Sequence, residues 1–131
     1  MLEREIIPVN HEINGYVVEI GEGILFEDDE NNTLLRQNPD KAFIITDDNV
    51  KQAWGDDLRK FLSHSGIETH LLYFPAGEKS KTPETVIKLE EQLAESRCTR
   101  DSIIIALGGG VVGDVAGFVA STYMRKIPYI Q

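Results

Sequence analysis

The fold is decided by one stretch, Ile103-Ile104-Ile105-Ala106-Leu107-Gly108-Gly109-Gly110-Val111-Val112-Gly113-Asp114. Its unbroken apolar start, rich in β-branched residues, predicts a strand that is buried on both faces. Three glycines then allow a sharp turn, and the apolar residues 115–123 are long enough for a helix. A strand, a glycine turn and a helix N-terminus form an anion site, because unpaired N–H groups and the helix dipole point at the ligand. We therefore predict that this turn binds the pyrophosphate of a nucleotide.

The same turn also allows a purely structural interpretation. Residues 108–113 satisfy the G-x-G-x-x-G spacing between a predicted strand and a predicted helix. However, the acidic residue that normally follows about 20 positions later would lie past the last residue, Gln131. Two strand–helix units also precede the turn, whereas the fingerprint normally opens the fold. A tight turn without a ligand therefore stays open on this spacing alone.

Composition indicates one globular domain of 131 residues, with 41% hydrophobic and 27% charged residues. The formal net charge of −9 argues against a nucleic-acid partner bound through a basic face. A single cysteine, Cys98, excludes an internal disulfide and a cysteine-built zinc site, and we interpret it as a structural residue.

The N-terminus lacks a signal-peptide pattern, and no apolar run reaches the length of a membrane span. We therefore expect a cytoplasmic protein with no membrane partner. Residues 128–131 read as the opening of a new strand, so we expect the chain to be the front portion of a longer protein.

Three strand–helix units follow one another, with strands predicted at residues 41–46, 69–74 and 102–107. The helix after the first strand has an apolar stripe formed by Trp54, Leu58, Phe61 and Leu62, and Gly66 ends it. The next helix has Thr82 as its N-cap and Pro83 at its first position. Its buried face is predicted to consist of Val86, Leu89 and Leu93.

This order predicts an α/β fold, namely a Rossmann-like parallel sheet with helices on both faces. Residues 1–27 precede it and predict an N-terminal hairpin or edge strands, with apolar runs at 16–20 and 24–26. The polar connector that follows is expected to contain a helical turn at residues 33–37.

Ligands of such sheets bind beyond the carboxyl ends of the strands, so three loops are expected to converge on one rim. These are residues 47–49, 76–81 and 108–114. Asp47, with the amide of Asn49 beside it, suits ribose hydroxyls, although an N-cap is the structural alternative. Lys81 suits a phosphate, although a solvated charged loop is equally open. Asp114 complements the helix dipole and is expected to face a sugar hydroxyl or the nicotinamide end.

Residue Arg125 follows the glycine-turn helix. A cation at a helix C-terminus needs no ligand, yet the arginine fork also suits a phosphate dianion. The three histidines share no metal-ligand spacing, and no Ser–His–Asp pattern, P-loop lysine or paired-acid arrangement is present. We therefore predict no catalytic residue and no metal ligand in this chain.

Residues 106–125, in which the glycine turn is followed by Gly117-Phe118-Val119-Ala120 and Tyr123-Met124-Arg125, closely resemble the signature of the 3-dehydroquinate synthase family. Two further segments resemble motifs of that family in the same order, Thr46-Asp47-Asp48-Asn49 and Pro75-Ala76-Gly77-Glu78-Lys79-Ser80-Lys81. The broader relatives are sugar-phosphate cyclases and metal-dependent polyol dehydrogenases, and the latter lack the long continuation after the glycine turn.

The resemblance implies an NAD- and divalent-metal-dependent (zinc or cobalt) lyase of the shikimate pathway. Its reaction converts the phosphorylated keto acid 3-deoxy-D-arabino-heptulosonate 7-phosphate to 3-dehydroquinate plus phosphate. By position, Arg125 would meet the substrate phosphate. The residues implied to bind NAD are Asp47, Asn49, Ala76, Gly77, Glu78, Lys79, Ser80, Lys81, Gly109, Gly110, Val111, Val112, Gly113 and Asp114.

Two departures accompany the resemblance. Lys126 stands where the family usually has glycine. The family's helical metal-binding domain is absent, so residues 1–131 would form only the N-terminal nucleotide-binding domain, inactive alone and homodimeric when full length. The open alternatives are another sugar-phosphate cyclase, a polyol dehydrogenase, or a nucleotide-binding module without catalysis.

Overall fold

The apolar runs of the sequence form six strands in the computed structural model, which describes residues 3–10 and 15–131. In chain order the strands are β1 (Glu5–Val9), β2 (Tyr16–Ile20), β3 (Lys41–Asp47), β4 (Glu68–Phe74), β5 (Ile103–Ala106) and β6 (Tyr129–Ile130). The α-helices of this described part are α1 (Thr33–Arg36), α2 (Asp48–Val50), α3 (Asp56–His64), α4 (Pro83–Glu95) and α5 (Gly110–Thr122). The chain divides into two compact units, Met1–Arg36 and Gln37–Gln131.

An antiparallel hairpin of β1 and β2 forms the first unit, together with the short helix α1. An N-terminal hairpin is present, but the expected pairing of the runs 16–20 and 24–26 is wrong, because β2 pairs with β1 and Ile24–Phe26 is a 3₁₀ turn. Gly23 precedes this turn with φ 71°, a left-handed conformation that favours glycine. The buried side chain of Asn32 then fixes the turn, because its Nδ2 donates to the carbonyl oxygens of Leu25 and Glu27.

The second unit contains a four-stranded sheet with the order β4-β3-β5-β6, and all neighbouring strands are parallel. The strand β3 pairs with β4 on one side and with β5 on the other. The winding direction of the sheet therefore reverses between β3 and β5, which makes their carboxyl ends the topological switch point where such folds bind ligands.

Helices cover both faces of this sheet, as the strand alternation requires. Phe43, Ile45 and Leu72 lie in one buried cluster with apolar residues of α4 and α5. The intervening Leu71 points the other way and lies next to Gly55, which precedes α3. The predicted α/β architecture, with a parallel sheet and an N-terminal hairpin, is confirmed.

The apolar stripe predicted for the first helix is wrong at one residue. Leu58 and Leu62 are fully buried, but Trp54 is 56% exposed. The reason is a π-helical segment, Lys51–Gly55, between α2 and α3. Because a π turn holds more residues than an α turn, it rotates the preceding positions out of the stripe. Gly55 is the buried residue at this point instead.

Cys98 lies in the core and is 4% exposed. Burial raises the pKa of its thiol, which reduces the fraction of reactive thiolate. Among the described residues, no helix combines the length and the apolarity needed to cross a membrane.

The N-cap of α4 yields a first prediction. Thr82 accepts a hydrogen bond from the Thr85 backbone N–H at 3.3 Å, and Pro83 follows as expected. Replacing Thr82 with Ala is expected to lower the free energy of unfolding by about 1 kcal/mol, measured by urea denaturation. Replacing it with Ser retains the hydroxyl oxygen and serves as the control. An equal loss in both variants would contradict the capping role.

Candidate functional site

Three hydrogen-bonded contacts join the loops at the carboxyl edge of the sheet. The hydroxyl of Thr46, at the end of β3, donates to the Leu107 carbonyl oxygen at 2.6 Å. Asp48 Oδ1 accepts from the Ala76 backbone N–H at 2.9 Å, which connects the loops after β3 and β4. Lys81 Nζ lies 2.6 Å from Asp114 Oδ2, which connects the loop after β4 to α5. The three segments predicted to meet therefore do meet, at the switch point.

The glycine turn leads directly from β5 into α5. Gly108 has φ 151°, and a Cβ there would lie 2.9 Å from Val112 Cγ2, so both conformation and space require glycine. Within the described part of the chain, no side chain caps α5, and its first turn contains no acidic residue. The N–H groups of that turn have no partner within the helix and point out of its N-terminus. They form an anion site with the positive end of the dipole.

Two glycines of the turn have no structural reason to be glycine. The N-cap Gly109 has an extended backbone, and Gly110 is helical. A Cβ at either position would meet no atom within 4 Å. The space in front of the helix is therefore open to an approaching backbone or ligand, which a side chain would obstruct. This is the arrangement expected for a bound pyrophosphate.

Not every residue of the predicted NAD-binding set presents its side chain at the rim. Val112 is buried in the core, and the Gly113 N–H donates to the Gly109 carbonyl oxygen at 3.0 Å. The side chain of Ser80 is also buried and donates to the Pro75 carbonyl oxygen. These residues shape the loops, whereas Ala76, Gly77, Glu78 and Lys79 are exposed.

The loop after β3 combines both roles considered for Asp47. Its Oδ1 accepts from the Val50 backbone N–H at 2.8 Å, so Asp47 is the N-cap of α2. A carboxylate has a second oxygen with further acceptor capacity. Asn49 is exposed one residue into α2. The cap fixes the carboxylate next to the glycine turn without using all of its acceptors.

The ion pair of Lys81 and Asp114 lies across the rim. The pKa of the Lys81 ammonium is raised, mainly by its hydrogen bond to Asp114. The negative charges of Asp114 and Glu78 raise this pKa further. Both side chains are exposed, at 44% and 60%, so the pair contributes little to stability. Asp114 is the fifth residue of α5 and lies just past its first turn.

Arg125 lies near the amino ends of the strands, opposite the rim formed at their carboxyl ends. The Met124 carbonyl oxygen accepts from Arg100 Nε at 2.9 Å, and Arg100 precedes β5. The Pro128 carbonyl accepts from the Ile104 N–H, at the start of β6. The helix α5 has 13 residues and spans about 20 Å, so Arg125 does not share the rim with the predicted NAD-binding residues.

The segment that includes Arg125 has a strained backbone. Met124, Arg125 and Lys126 have φ values of 49°, 67° and 142°. Positive φ costs a non-glycine residue about 1–3 kcal/mol. This geometry explains why glycine suits position 126, where the chain has lysine.

Two hydrogen bonds of the rim, those of Thr46 and Asp48, were not predicted from the sequence. The sequence places Thr46 at the end of a predicted strand and Asp48 in the predicted rim loop 47–49, but it assigns a contact to neither side chain. Their partners, Leu107 and Ala76, lie 61 and 28 positions further along the chain. The motif Thr46-Asp47-Asp48-Asn49 marks these positions in the sequence, but it does not indicate their partners.

The donors and acceptors of the rim suit a dinucleotide. The donors include backbone N–H groups and Lys81, and the acceptors include the carboxylates of Asp47 and Asp114. A pyrophosphate requires hydrogen-bond donors, and ribose hydroxyls can donate to the carboxylate acceptors. Among the described residues, no group of three or more His, Cys, Asp or Glu is placed to hold a metal ion.

Residues 71–131 match the family model described as 3-dehydroquinate synthase N-terminal. A 3-dehydroquinate synthase of Clostridium acetobutylicum is 42% identical over 118 residues, which cover 90% of this chain and 33% of the relative. One of Enterococcus faecalis is 52% identical over 93 residues, or 71% of this chain and 26% of the relative. The chain is therefore similar to 3-dehydroquinate synthases over as much as 90% of its length. It spans about a third or less of the length of these relatives.

Solved structures of sugar-phosphate cyclases share the fold. A 2-deoxy-scyllo-inosose synthase complexed with carbaglucose-6-phosphate, NAD+ and Co2+ is 26% identical, with a TM-score of 0.83 over 95% of this chain and 34% of that one. A 2-epi-5-epi-valiolone synthase of Streptomyces hygroscopicus with NAD+ and Zn2+ bound is 31% identical, with a TM-score of 0.64. That match covers 75% of this chain and 28% of that one.

The ion pair at the rim yields a second prediction. Replacing Asp114 with Asn is expected to lower the pKa of Lys81 towards its ordinary value, because it removes both the carboxylate acceptor and its charge. NMR titration of the lysine side-chain signals measures this pKa. Replacing Glu78 with Gln removes a weaker cause and is expected to lower it less. If the two variants gave equal pKa values, the direct contact would not be the dominant cause.

Proposed function

We propose that this chain is the NAD-binding part of a 3-dehydroquinate synthase. The whole enzyme would convert 3-deoxy-D-arabino-heptulosonate 7-phosphate to 3-dehydroquinate with release of phosphate. The geometry of the rim, with an uncapped helix N-terminus and two ribose-compatible carboxylates, supports NAD as the ligand. The identities of 42% and 52% to enzymes of that name support the reaction.

The observation that carries the proposal is the open space at Gly109 and Gly110. Neither backbone conformation nor internal packing requires glycine at these positions. Glycine in a helix also costs up to about 1 kcal/mol relative to alanine. A ligand that approaches the backbone closely explains why both side chains are absent.

Each rim group then has a defined task. The N–H groups of Gly110 and Val111 bind the pyrophosphate, and Lys81 adds a positive charge beside it. The Asp47 carboxylate, already fixed by its cap, accepts from hydroxyls of the adenosine ribose. Asp114 lies further along α5 and accepts from the nicotinamide ribose. When bound, NAD supplies reversible hydride transfer at a ring alcohol of the substrate.

The remaining features of the enzyme are part of the same proposal. A zinc or cobalt ion and its ligands would belong to a helical domain beyond residue 131, so residues 1–131 alone would be inactive. We propose a cytoplasmic homodimer. Arg125 would bind the substrate phosphate. Because it lies at the sheet edge opposite the NAD loops, one substrate could contact both only across a subunit boundary or in a site that further segments complete.

A different sugar-phosphate cyclase is a second candidate. Its support is the likeness to the two solved cyclases, of which the 2-deoxy-scyllo-inosose synthase matches 95% of the chain. The identities to these cyclases, 26% and 31%, are lower than those to the 3-dehydroquinate synthases. Assaying the full-length protein with each substrate separates the two candidates.

The glycine turn yields a third prediction. Replacing Gly109 with Ala is expected to weaken NAD binding by roughly tenfold, because the added methyl group occupies the space of the pyrophosphate. The thermal midpoint of unfolding should not fall, since the methyl group meets no atom within 4 Å. NAD titration of ¹⁵N-labelled protein, followed by NMR, measures the affinity.

A matched control lies in the same helix. At Gly117 an added Cβ would make only ordinary contact, at 3.5 Å, with the Tyr129 hydroxyl. Replacing Gly117 with Ala should leave NAD affinity unchanged. If the Gly109 variant bound NAD as well as the unmodified chain, the pyrophosphate would not lie on this turn.

A further inference from the structure

A second cleft lies between α5 and β6, at the sheet edge opposite the glycine turn. Arg125 and Lys126 line it together with Ser121, Ile127 and Tyr129. Both cationic residues are exposed. They are adjacent in a chain whose formal net charge is −9, so they create a local positive region on an acidic protein.

The backbone that presents these two cations is strained but firmly held. Arg125 and Lys126 have φ values of 67° and 142°. The Lys126 N–H donates to the Tyr123 carbonyl oxygen at 3.0 Å, and the Ile127 N–H donates to that of Ala120 at 2.8 Å. Ile127 is 1% exposed and anchors the segment in the core. The surrounding structure therefore imposes this conformation, and it persists although lysine fits it poorly.

No internal contact explains lysine at this position. Among residues 3–10 and 15–131, no side-chain hydrogen bond or ion pair involves Lys126 or Arg125. Glycine would relieve the strain, whereas lysine places at the cleft an ammonium group that has no partner among the described residues. Strain that persists without an internal benefit points to a role in binding.

We propose that Lys126 is a second cation of the phosphate site and adds its charge to that of Arg125. This inference rests on the proposed function, which gives Arg125 the substrate phosphate. The ligand class is a phosphate monoester dianion, for which the arginine fork provides two parallel donors and the lysine a point charge. The single negative charge of a carboxylate is balanced by one arginine. Two cations at the cleft therefore favour a ligand with two negative charges, such as a phosphate monoester dianion.

The neighbouring hydroxyl groups of the cleft already donate hydrogen bonds to backbone carbonyl oxygens. The hydroxyl of Tyr129 donates to the Gly113 carbonyl oxygen at 3.1 Å, and that of Ser121 donates to Phe118 at 2.8 Å. Glu90 of α4 accepts from Thr122 at 3.5 Å and does not line the cleft. Among the residues that line the cleft, Arg125 and Lys126 supply the positive charge; Arg100 does not line it, although its Nε donates to the Met124 carbonyl oxygen.

Three variants at position 126 separate charge from strain. The ¹⁵N-labelled chain is titrated with inorganic phosphate at constant ionic strength and about pH 8, where phosphate is mainly a dianion. Backbone amide shifts at residues 121–127 report the cleft. Replacing Lys126 with Ala removes the charge and keeps the strain, replacing it with Gly removes both, and replacing it with Arg keeps both.

Phosphate affinity at the cleft is expected to fall roughly threefold in both the Ala and the Gly variants and to stay unchanged in the Arg variant. The thermal midpoint should rise in the Gly variant relative to the Ala variant.

If the Ala and Gly variants bound phosphate like the unmodified chain while Arg125→Ala did not, the role of Lys126 would be refuted and that of Arg125 would stand. If Arg125→Ala also had no effect, the proposed substrate contact would fail as well. Amide shifts of residues 109–112 with NAD test the cofactor proposal separately.

Discussion

The placement of β3 between β4 and β5 is the constraint on which the site depends. Parallel pairing brings the three carboxyl ends to one edge, and the reversal of winding opens a crevice between β3 and β5. The buried Thr46 then fixes the spacing, because its hydroxyl donates to Leu107 while the Leu107 N–H donates to Ile45 at 3.0 Å. The glycine turn is held by its neighbouring strand before any ligand binds. Binding energy is therefore not needed to order the backbone of the turn.

The ion pair at the rim resolves an electrostatic conflict. Asp114 lies in the second turn of α5, close to a helix end that attracts anions. An unpaired carboxylate there would repel a pyrophosphate. Contact with Lys81 at 2.6 Å neutralises it. Because both side chains are exposed, the pair is weak enough to rearrange around a ligand. Lys81 can therefore shift towards a phosphate while Asp114 accepts from a sugar hydroxyl.

Local signals in the sequence predicted the elements well, and the long-range contacts poorly. The cap at Thr82, the helix end at Gly66 and the glycine turn each depend on a few adjacent residues, and all three are confirmed. The exposure of Trp54 follows from a π-helical segment that no hydrophobic pattern indicates. The contact of Asp48 with Ala76 depends on strand order. Motif order along the chain also did not reveal that Arg125 lies about a helix length from the rim.

The two ends of α5 require different chemistry for the same kind of ligand. At the N-terminus, free N–H groups and the positive end of the dipole bind an anion, so side chains are unnecessary and glycine leaves room. At the C-terminus the dipole is negative and unpaired groups are carbonyl oxygens, which repel a phosphate. An anion there must be bound by cationic side chains strong enough to offset that field. In the proposed phosphate site, Arg125 would face both the helix end and a doubly charged ligand, and Lys126 would provide additional positive charge from the same strained segment.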